Sequence, residues 1–179
     1  MSTYITNTFT FPNASQSLVA SLRQILDFIS GNLPVYADAA DINFKLKVII
    51  TELLNNALKH TGDAQTTFRV FIDAANIKID KTDYGKRFNP RNLVPLSGNK
   101  TGSKVQLSND ALNNVYALIE SEAFMRFVCE ENNSDGVTDV NNIIEHFGLL
   151  IITRAADEFT YSYDRQTGLN TFAVRLKLT

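Results

Sequence analysis

The sequence predicts an α+β fold, a two-layer sandwich in which helices pack on one face of a mostly antiparallel sheet. Three observations favour this class: a strand-like amino terminus precedes two long helical runs, a pair of β-rich runs follows them, and a second such pair closes the chain. With 179 residues, 44% of them hydrophobic, the chain can bury one sizeable core. We therefore expect a single domain over residues 1–179.

The first part of the chain predicts one strand and two helices. Residues 3–11 are rich in threonine and aromatic side chains, which favours a strand that ends at the following proline. Asn13 or Ser15 is then expected to cap a helix over 14–33, which a glycine and a proline terminate. A second helix is expected over 41–60, with its first residue, an aspartate, as the cap. Its apolar stripe consists of Ile42, Leu46, Ile49, Ile50, Leu53 and Ala57.

The rest of the chain predicts two hairpins that flank a long middle segment. The runs TTFRVFID and NIKID indicate an antiparallel hairpin, and FTYSYD and NTFAVRLKL indicate another at the end of the chain. Between them, TDYGKRFNP and SGNKTGSK are typical of loops, the second of a mobile one. Helical periodicity predicts helices over 108–131 and 140–159.

Charge and cysteine content exclude several classes of function. The 17 basic and 19 acidic residues leave a net charge of -2, which offers no broad attraction for nucleic-acid phosphates. Cys129 is the only cysteine, so no intramolecular disulfide is expected, and a cytoplasmic location is the interpretation that fits. No run approaches the roughly 20 apolar residues of a membrane helix. We expect neither nucleic acid nor membrane as a partner.

Polar residues recur at steps of four along the second helix. Glu52, Asn56 and His60 lie about 40° apart per step, so they form one row along the border of the apolar stripe. A carboxylate there is suited to accept a proton, and an amide oxygen one turn on suits a hard cation such as Mg²⁺. A solvated polar rim is the alternative interpretation of the same spacing.

The run ELLNNALKHT, residues 52–61, resembles the N-box of the GHKL (Bergerat-fold) ATPases, the superfamily of gyrase, mismatch-repair ATPases and histidine-kinase catalytic domains. The resemblance implies that Asn56 chelates Mg²⁺ on the phosphates of ATP and that Glu52 acts as the catalytic base. His60 is interpreted as a helix-end residue without a chemical role.

TDYGKRFNP looks like the G1 box of the same family, D-x-G-x-G-F. The resemblance implies that Asp83 accepts the amino group of adenine and that Gly85 lets the backbone pass close to the base. Phe88 completes the match. Arg87 stands where the pattern has its second glycine, and the sequence leaves open whether it contacts phosphate or blocks the lid.

The segment GLLIITRAADEF resembles the third box, in which a glycine-rich turn opens a helix whose N-H groups meet the phosphates. Gly148 matches the second glycine, and His146 occupies the place of the first. Lys100 and Lys104, in the expected mobile loop, are placed within reach of phosphate. Residues 91–142 are longer than the usual lid and match no family segment, so they are interpreted as an unusual lid or insert.

The arrangement looks most like the bacterial anti-sigma factor and switch-protein serine kinases. This resemblance implies an ATP- and Mg²⁺-binding regulator that phosphorylates a protein partner, of the sigma-factor or anti-anti-sigma antagonist type, on serine or threonine. The replaced glycines support an alternative, a degenerate GHKL-fold interaction module without nucleotide turnover. An ATPase without a protein substrate and a homodimer, formed through an exposed part of the helix expected at 108–131, both stay open.

Overall fold

The computed structural model describes residues 4–60, 62–89, 101–109, 113–131 and 140–178. Within these ranges, three α-helices pack on an eight-stranded sheet: α1 (Leu18–Ser30), α2 (Ala39–His60) and α3 (Val140–Ala155). Helix α2 lies between α1 and α3 and contacts both. The prediction of an α+β fold with a largely antiparallel sheet is confirmed.

The strands are β1 (Ile5–Pro12), β2 (Gln65–Ile72), β3 (Asn76–Asp83), β4 (Lys104–Asn109), β5 (Asn113–Ser121), β6 (Phe124–Glu131), β7 (Glu158–Asp164) and β8 (Leu169–Lys177). Their order across the sheet is β1-β2-β3-β8-β7-β6-β5-β4, and each adjacent pair is antiparallel. The carboxyl-terminal strand β8 therefore lies in the middle of the sheet, where it joins the amino-terminal strands to β4–β7.

Helices α1 and α2 form where the apolar periodicity predicts them, but their first residues differ from the prediction. Neither Asn13 nor Ser15 caps α1, which begins at Leu18 after a short 3-10 turn. Helix α2 begins two residues before Asp41, and its cap is Asp38, whose Oδ1 accepts the N-H groups of the second and third helical residues at 3.1 and 3.2 Å. Asp41 lies in the first turn, where its negative charge interacts favourably with the positive end of the helix dipole.

The helix predicted over 108–131 is wrong, because residues 113–131 form the antiparallel pair β5 and β6. The apolar residues of β5 that face the core, Val115, Ala117 and Ile119, recur at steps of two. Leu118 and Val115 also satisfy a step of three, and this coincidence produced the helical interpretation. Much of the expected lid is thus an extension of the sheet, while residues 90–100, 110–112 and 132–139 lie outside the described ranges.

One face of the sheet is apolar and faces the helices. Val70, Ile79, Val174, Phe159 and Phe127 run across it in register and are nearly fully buried, together with the stripes of α1 and α2. The opposite face, called the outer face below, carries charged residues that include Arg69, Lys78, Asp80, Lys104, Arg126 and Arg175. The helical face is therefore the side on which a buried site can form.

The turn between β2 and β3 is closed by the side chain of Asp73. Its Oδ1 accepts the N-H groups of Ala75 at 2.7 Å and Asn76 at 2.8 Å. These two hydrogen bonds, that of Ala75 first, lower the pKa of Asp73 below its ordinary 3.8. The turn fixes the register in which β3 delivers Asp83 to the far end of the strand.

Candidate functional site

Glu52 and Asn56 lie on the side of α2 that faces α3. Both side chains are half-buried, whereas Leu53 and Ala57, next to them in the chain, are buried in the core. The two polar groups converge on Gly148 of α3. A β-carbon placed on Gly148 would lie 2.7 Å from Oε2 of Glu52 and 3.7 Å from Oδ1 of Asn56. The missing side chain at this position is therefore what lets a carboxylate and an amide oxygen approach the backbone of α3 together.

Gly148 does not open a helix, which is a correction to what the third box implies. Helix α3 begins at Val140, eight residues earlier, so the N-H of Gly148 lies inside the helix and is not one of its free first-turn donors. In this arrangement Gly148 matters because it has no side chain to keep Glu52 away from the backbone of α3. His146 lies in α3, and its side chain is outside the described part of the structure.

Asp83 is the last residue of β3, and its carboxylate is the centre of a buried polar network. Oδ1 accepts the N-H of Gly85 at 2.9 Å and the Nδ2 of Asn170 at 3.2 Å, and Oδ2 accepts the ammonium of Lys81. Both Lys81 and Asp83 are buried, at 2% and 4% exposure. Burial lowers the pKa of Lys81 below its ordinary 10.5, and the Asp83 carboxylate offsets part of this effect.

Asn170 and Tyr161 extend this network to the loop that follows β3. Nδ2 of Asn170 also donates to the carbonyl of Gly85 at 2.9 Å, so both of its hydrogens are used. Its Oδ1 accepts the hydroxyl of Tyr161 at 2.6 Å, and the Tyr161 oxygen accepts the N-H of Phe88 at 3.0 Å. Burial raises the pKa of Tyr161 to about 12, so the hydroxyl is a proton donor at any physiological pH.

The sequence did not single out Lys81, Tyr161 or Asn170 as functional residues. They come from three strands, β3, β7 and β8, and Asn170 is 87 residues from its partner Asp83. One signal was available: a lysine, a tyrosine and an asparagine occupy inward-facing positions of strands whose other inward positions are apolar. Polar residues at such positions need partners inside the protein.

Phe88 has a packing role. Its ring makes edge-to-face contacts with Phe127, Tyr161 and Phe172 at centroid distances of 5.9, 5.5 and 5.8 Å. Arg87, in the place of the second G1 glycine, is exposed. Its guanidinium stacks on Tyr163, 5.0 Å from the ring centroid, and donates to the carbonyl of Glu122.

Of the two predicted lysines, the structure describes Lys104, which does not lie with Glu52 and Asn56. Lys104 is on the outer face of β4, where it pairs with Glu130 at 2.5 Å and lies 3.8 Å from the ring centroid of Tyr116. Its neighbour Val105 faces the helices instead. The alternation of the strand thus directs Lys104 away from Glu52 and Asn56. Lys100 lies outside the described residues.

The predicted site residues therefore form two groups on the helical side, Glu52 with Asn56 and Gly148, and Asp83 with Gly85 and Phe88. Among the described residues, no hydrogen bond joins one group to the other. Nor do three His, Cys, Asp or Glu side chains in these ranges converge to hold a metal ion by themselves. An oxygen from Asn56 fits a Mg²⁺ ion that takes its other ligands from phosphates and water.

The Asp83 carboxylate retains limited capacity for a further donor. A carboxylate has about four lone-pair sites, two on each oxygen. Gly85 and Asn170 occupy those of Oδ1, whereas Lys81 occupies one on Oδ2. The remaining acceptor on Oδ2 fits one amino group such as that of adenine. At 4% exposure, the carboxylate is reached only if its surroundings move.

Comparison with known proteins adds no family assignment. No protein-family model matches the chain, and no curated protein is similar to it at a significant level. No helix among the described residues has the length and apolar character needed to cross a membrane.

Proposed function

We propose that this protein is an ATP-binding regulator with a Bergerat-type fold, which binds Mg-ATP and a protein partner and phosphorylates the partner on serine or threonine. The observation that carries the proposal is the convergence of Glu52 and Asn56 on Gly148. A carboxylate and an amide oxygen one helical turn apart, which a position without a side chain lets approach the backbone of α3 together, supply a proton acceptor and a cation ligand near the same point.

Each residue has a distinct task in this proposal. Asn56 holds Mg²⁺, which when bound neutralises charge on the phosphates during transfer. Glu52 accepts the proton of the attacking hydroxyl, and Asp83 accepts the amino group of adenine through the acceptor that remains on Oδ2. Phosphoryl transfer needs little else from a protein beyond positioning, so this small set suffices.

The partner is a regulatory protein of the sigma-factor or antagonist type, in the cytoplasm. This part of the proposal depends on the resemblance of the three boxes and on Glu52, since a glutamate at that position suits hydroxyl activation. Phosphorylation of a purified partner with labelled ATP, lost in Glu52→Gln, is the corresponding assay.

Calorimetric titration with Mg-ATP, and with ATP plus chelator, tests nucleotide binding. Wild type should bind Mg-ATP, more weakly without the metal, and Asp83→Asn should lose binding. Asp80→Asn is the matched control, because Asp80 is on the same strand but on the outer face. Since Asp83→Asn also removes the partner of Lys81, Asn56→Ala is a second variant outside the buried pair. No binding by wild type, or unchanged binding in both site variants, would overturn the proposal.

A second candidate is an interaction module of the same fold that has lost nucleotide turnover. The enclosure of Asp83 and the engagement of Arg87 with Tyr163 and Glu122 favour it. In this case wild type does not bind Mg-ATP, and glycine at positions 87 and 146 should create binding. Micromolar binding by the unmodified protein removes the reason for this candidate. Phosphate release without any protein substrate would instead indicate an ATPase.

A further inference from the structure

A pocket of about 270 Å³ opens beside the loop that follows β3. Its floor is apolar and consists of Phe88, Ile119 and Met125, of which Ile119 and Met125 are buried. Clefts that hold drug-sized ligands begin at roughly 300 Å³, so this one suits a small molecule. Of the two groups described above, only Phe88 lines the pocket, whereas Glu52, Asn56, Gly148 and the Asp83 carboxylate do not.

The rim of the pocket carries two arginines. Arg165, in the turn between β7 and β8, pairs with the carboxylate of Glu122, in the turn between β5 and β6. Arg87 uses one N-H on the carbonyl of Glu122 and stacks on a tyrosine ring, but no carboxylate among the described residues forms an ion pair with it. Two guanidinium groups and one carboxylate leave one net positive charge, 2 minus 1, on the rim.

We propose that this pocket is a binding site for a small organic monocarboxylate with an apolar body. The carboxylate accepts from the guanidinium of Arg87, a planar donor fork that matches it. The apolar body packs on Phe88, Ile119 and Met125 and removes their exposed atoms from water.

The rim charge selects a monoanion over a phosphate. One carboxylate neutralises the single excess positive charge, whereas a phosphate dianion brings a second negative charge next to Glu122. Phosphate also has no apolar part for the floor. The tyrosine stack and the bond to the Glu122 carbonyl hold the Arg87 guanidinium in place before a ligand arrives, so less side-chain entropy is lost on binding.

Four probes separate the roles of the carboxylate and the apolar body. Benzoate has both, benzamide has the same shape without the charge, and acetate has the carboxylate without the apolar body. Inorganic phosphate, at mildly alkaline pH, is the dianionic control. Binding is measured by titration of ¹⁵N amide resonances of the intact chain. Benzoate should bind most tightly and shift the amides of Phe88 and Met125. Benzamide should bind about tenfold to a hundredfold more weakly, the effect of one charge-assisted hydrogen bond.

Arg87→Leu should weaken benzoate binding by about the same factor, and Arg87→Lys should only partly restore it, because a lysine lacks the planar fork. Arg126→Leu is the matched control, since Arg126 pairs with Glu120 and Glu158 on the outer face and should leave benzoate binding unchanged. Equal binding of benzoate and benzamide, or unchanged binding in Arg87→Leu, would overturn the proposal.

Mg-ATP distinguishes this site from the proposed nucleotide site. Benzoate should bind with the same affinity when Mg-ATP is saturating, and it should bind whether or not the protein binds ATP at all. Competition between the two, with Arg87→Leu weakening both, would make the pocket part of the nucleotide site and contradict a separate one. Stronger binding of phosphate than of benzoate would contradict the assigned ligand class.

Discussion

Replacing Gly148 with alanine is expected to lower activity without lowering stability. Gly148 is inside α3, where a glycine costs about 0.5–1 kcal/mol relative to alanine because it loses more backbone freedom on folding. The new methyl group would lie 2.7 Å from Oε2 of Glu52, which belongs to a half-buried, flexible side chain. Moving that side chain costs less than the helix gains, so the free energy of unfolding should stay level or rise by up to about 1 kcal/mol.

The displacement of Glu52 follows from the same distance. Ordinary van der Waals contact begins at 3.4 Å, so Oε2 must move by at least 3.4 minus 2.7, or 0.7 Å. A displacement of about 1 Å of a catalytic group costs on the order of a hundredfold in rate. If Glu52 activates the hydroxyl of a partner, phosphoryl transfer by Gly148→Ala should fall by about tenfold to a hundredfold.

Urea unfolding followed by circular dichroism measures the first effect, and single-turnover transfer from labelled ATP measures the second. The double variant Glu52→Ala/Gly148→Ala is the control for stability, since without the carboxylate the alanine should give the full helical gain. A loss of more than about 1 kcal/mol in Gly148→Ala but not in the double variant would show that Glu52 is held rigidly, contrary to this reasoning. Unchanged transfer at unchanged stability would remove Glu52 from the reaction and leave the stability argument intact.

Three further results are expected. Tyr161→Phe should lower the free energy of unfolding by about 1–3 kcal/mol and speed hydrogen exchange of the Phe88 amide, because it leaves buried polar groups unpaired. Equal exchange rates in the variant and in wild type would show that the hydroxyl does not hold the loop. Lys81→Met should cost about 3–5 kcal/mol in urea unfolding, since it leaves the Asp83 carboxylate buried without its cation, and a neutral effect would contradict a buried ion pair. Asp73→Ala should destabilise the protein most above pH 3.8. Folding lowers the pKa of this carboxyl, so its contribution to stability is lost as the pH falls through its pKa in the folded protein. The unfolding free energies of wild type and variant should therefore converge in acid.

The helices and the flanking hairpins follow from local patterns, and their ends do not. The stripe of α2 predicts the helix because a step of three or four places apolar residues on one face whatever lies opposite. The cap of α2 cannot be predicted in this way, since Asp38 and Asp41 are both suitable residues and the path of the chain before the helix decides between them.

Residues 113–131 show where periodicity misleads. Their apolar residues satisfy both a helical step and an alternating one, and the choice was made by pairing of β6 with β7 on one side and β5 with β4 on the other. As strands, β5 and β6 complete the hydrogen bonds of their neighbours and bury Ala117 and Phe127. A local sequence pattern does not contain this information.

By itself, the sequence determined the α+β class, the row of Glu52 and Asn56 along α2, and the placement of Asp83 at the end of a β-hairpin, because each depends on neighbours within a few residues. Only the tertiary structure decided that Gly148 meets Glu52, that Lys81 and Asn170 occupy the Asp83 carboxylate, and that Arg87 turns to a pocket while Lys104 turns to the outer face. These contacts join residues far apart in the chain, and their geometry depends on strand order and on which face of a strand a side chain takes.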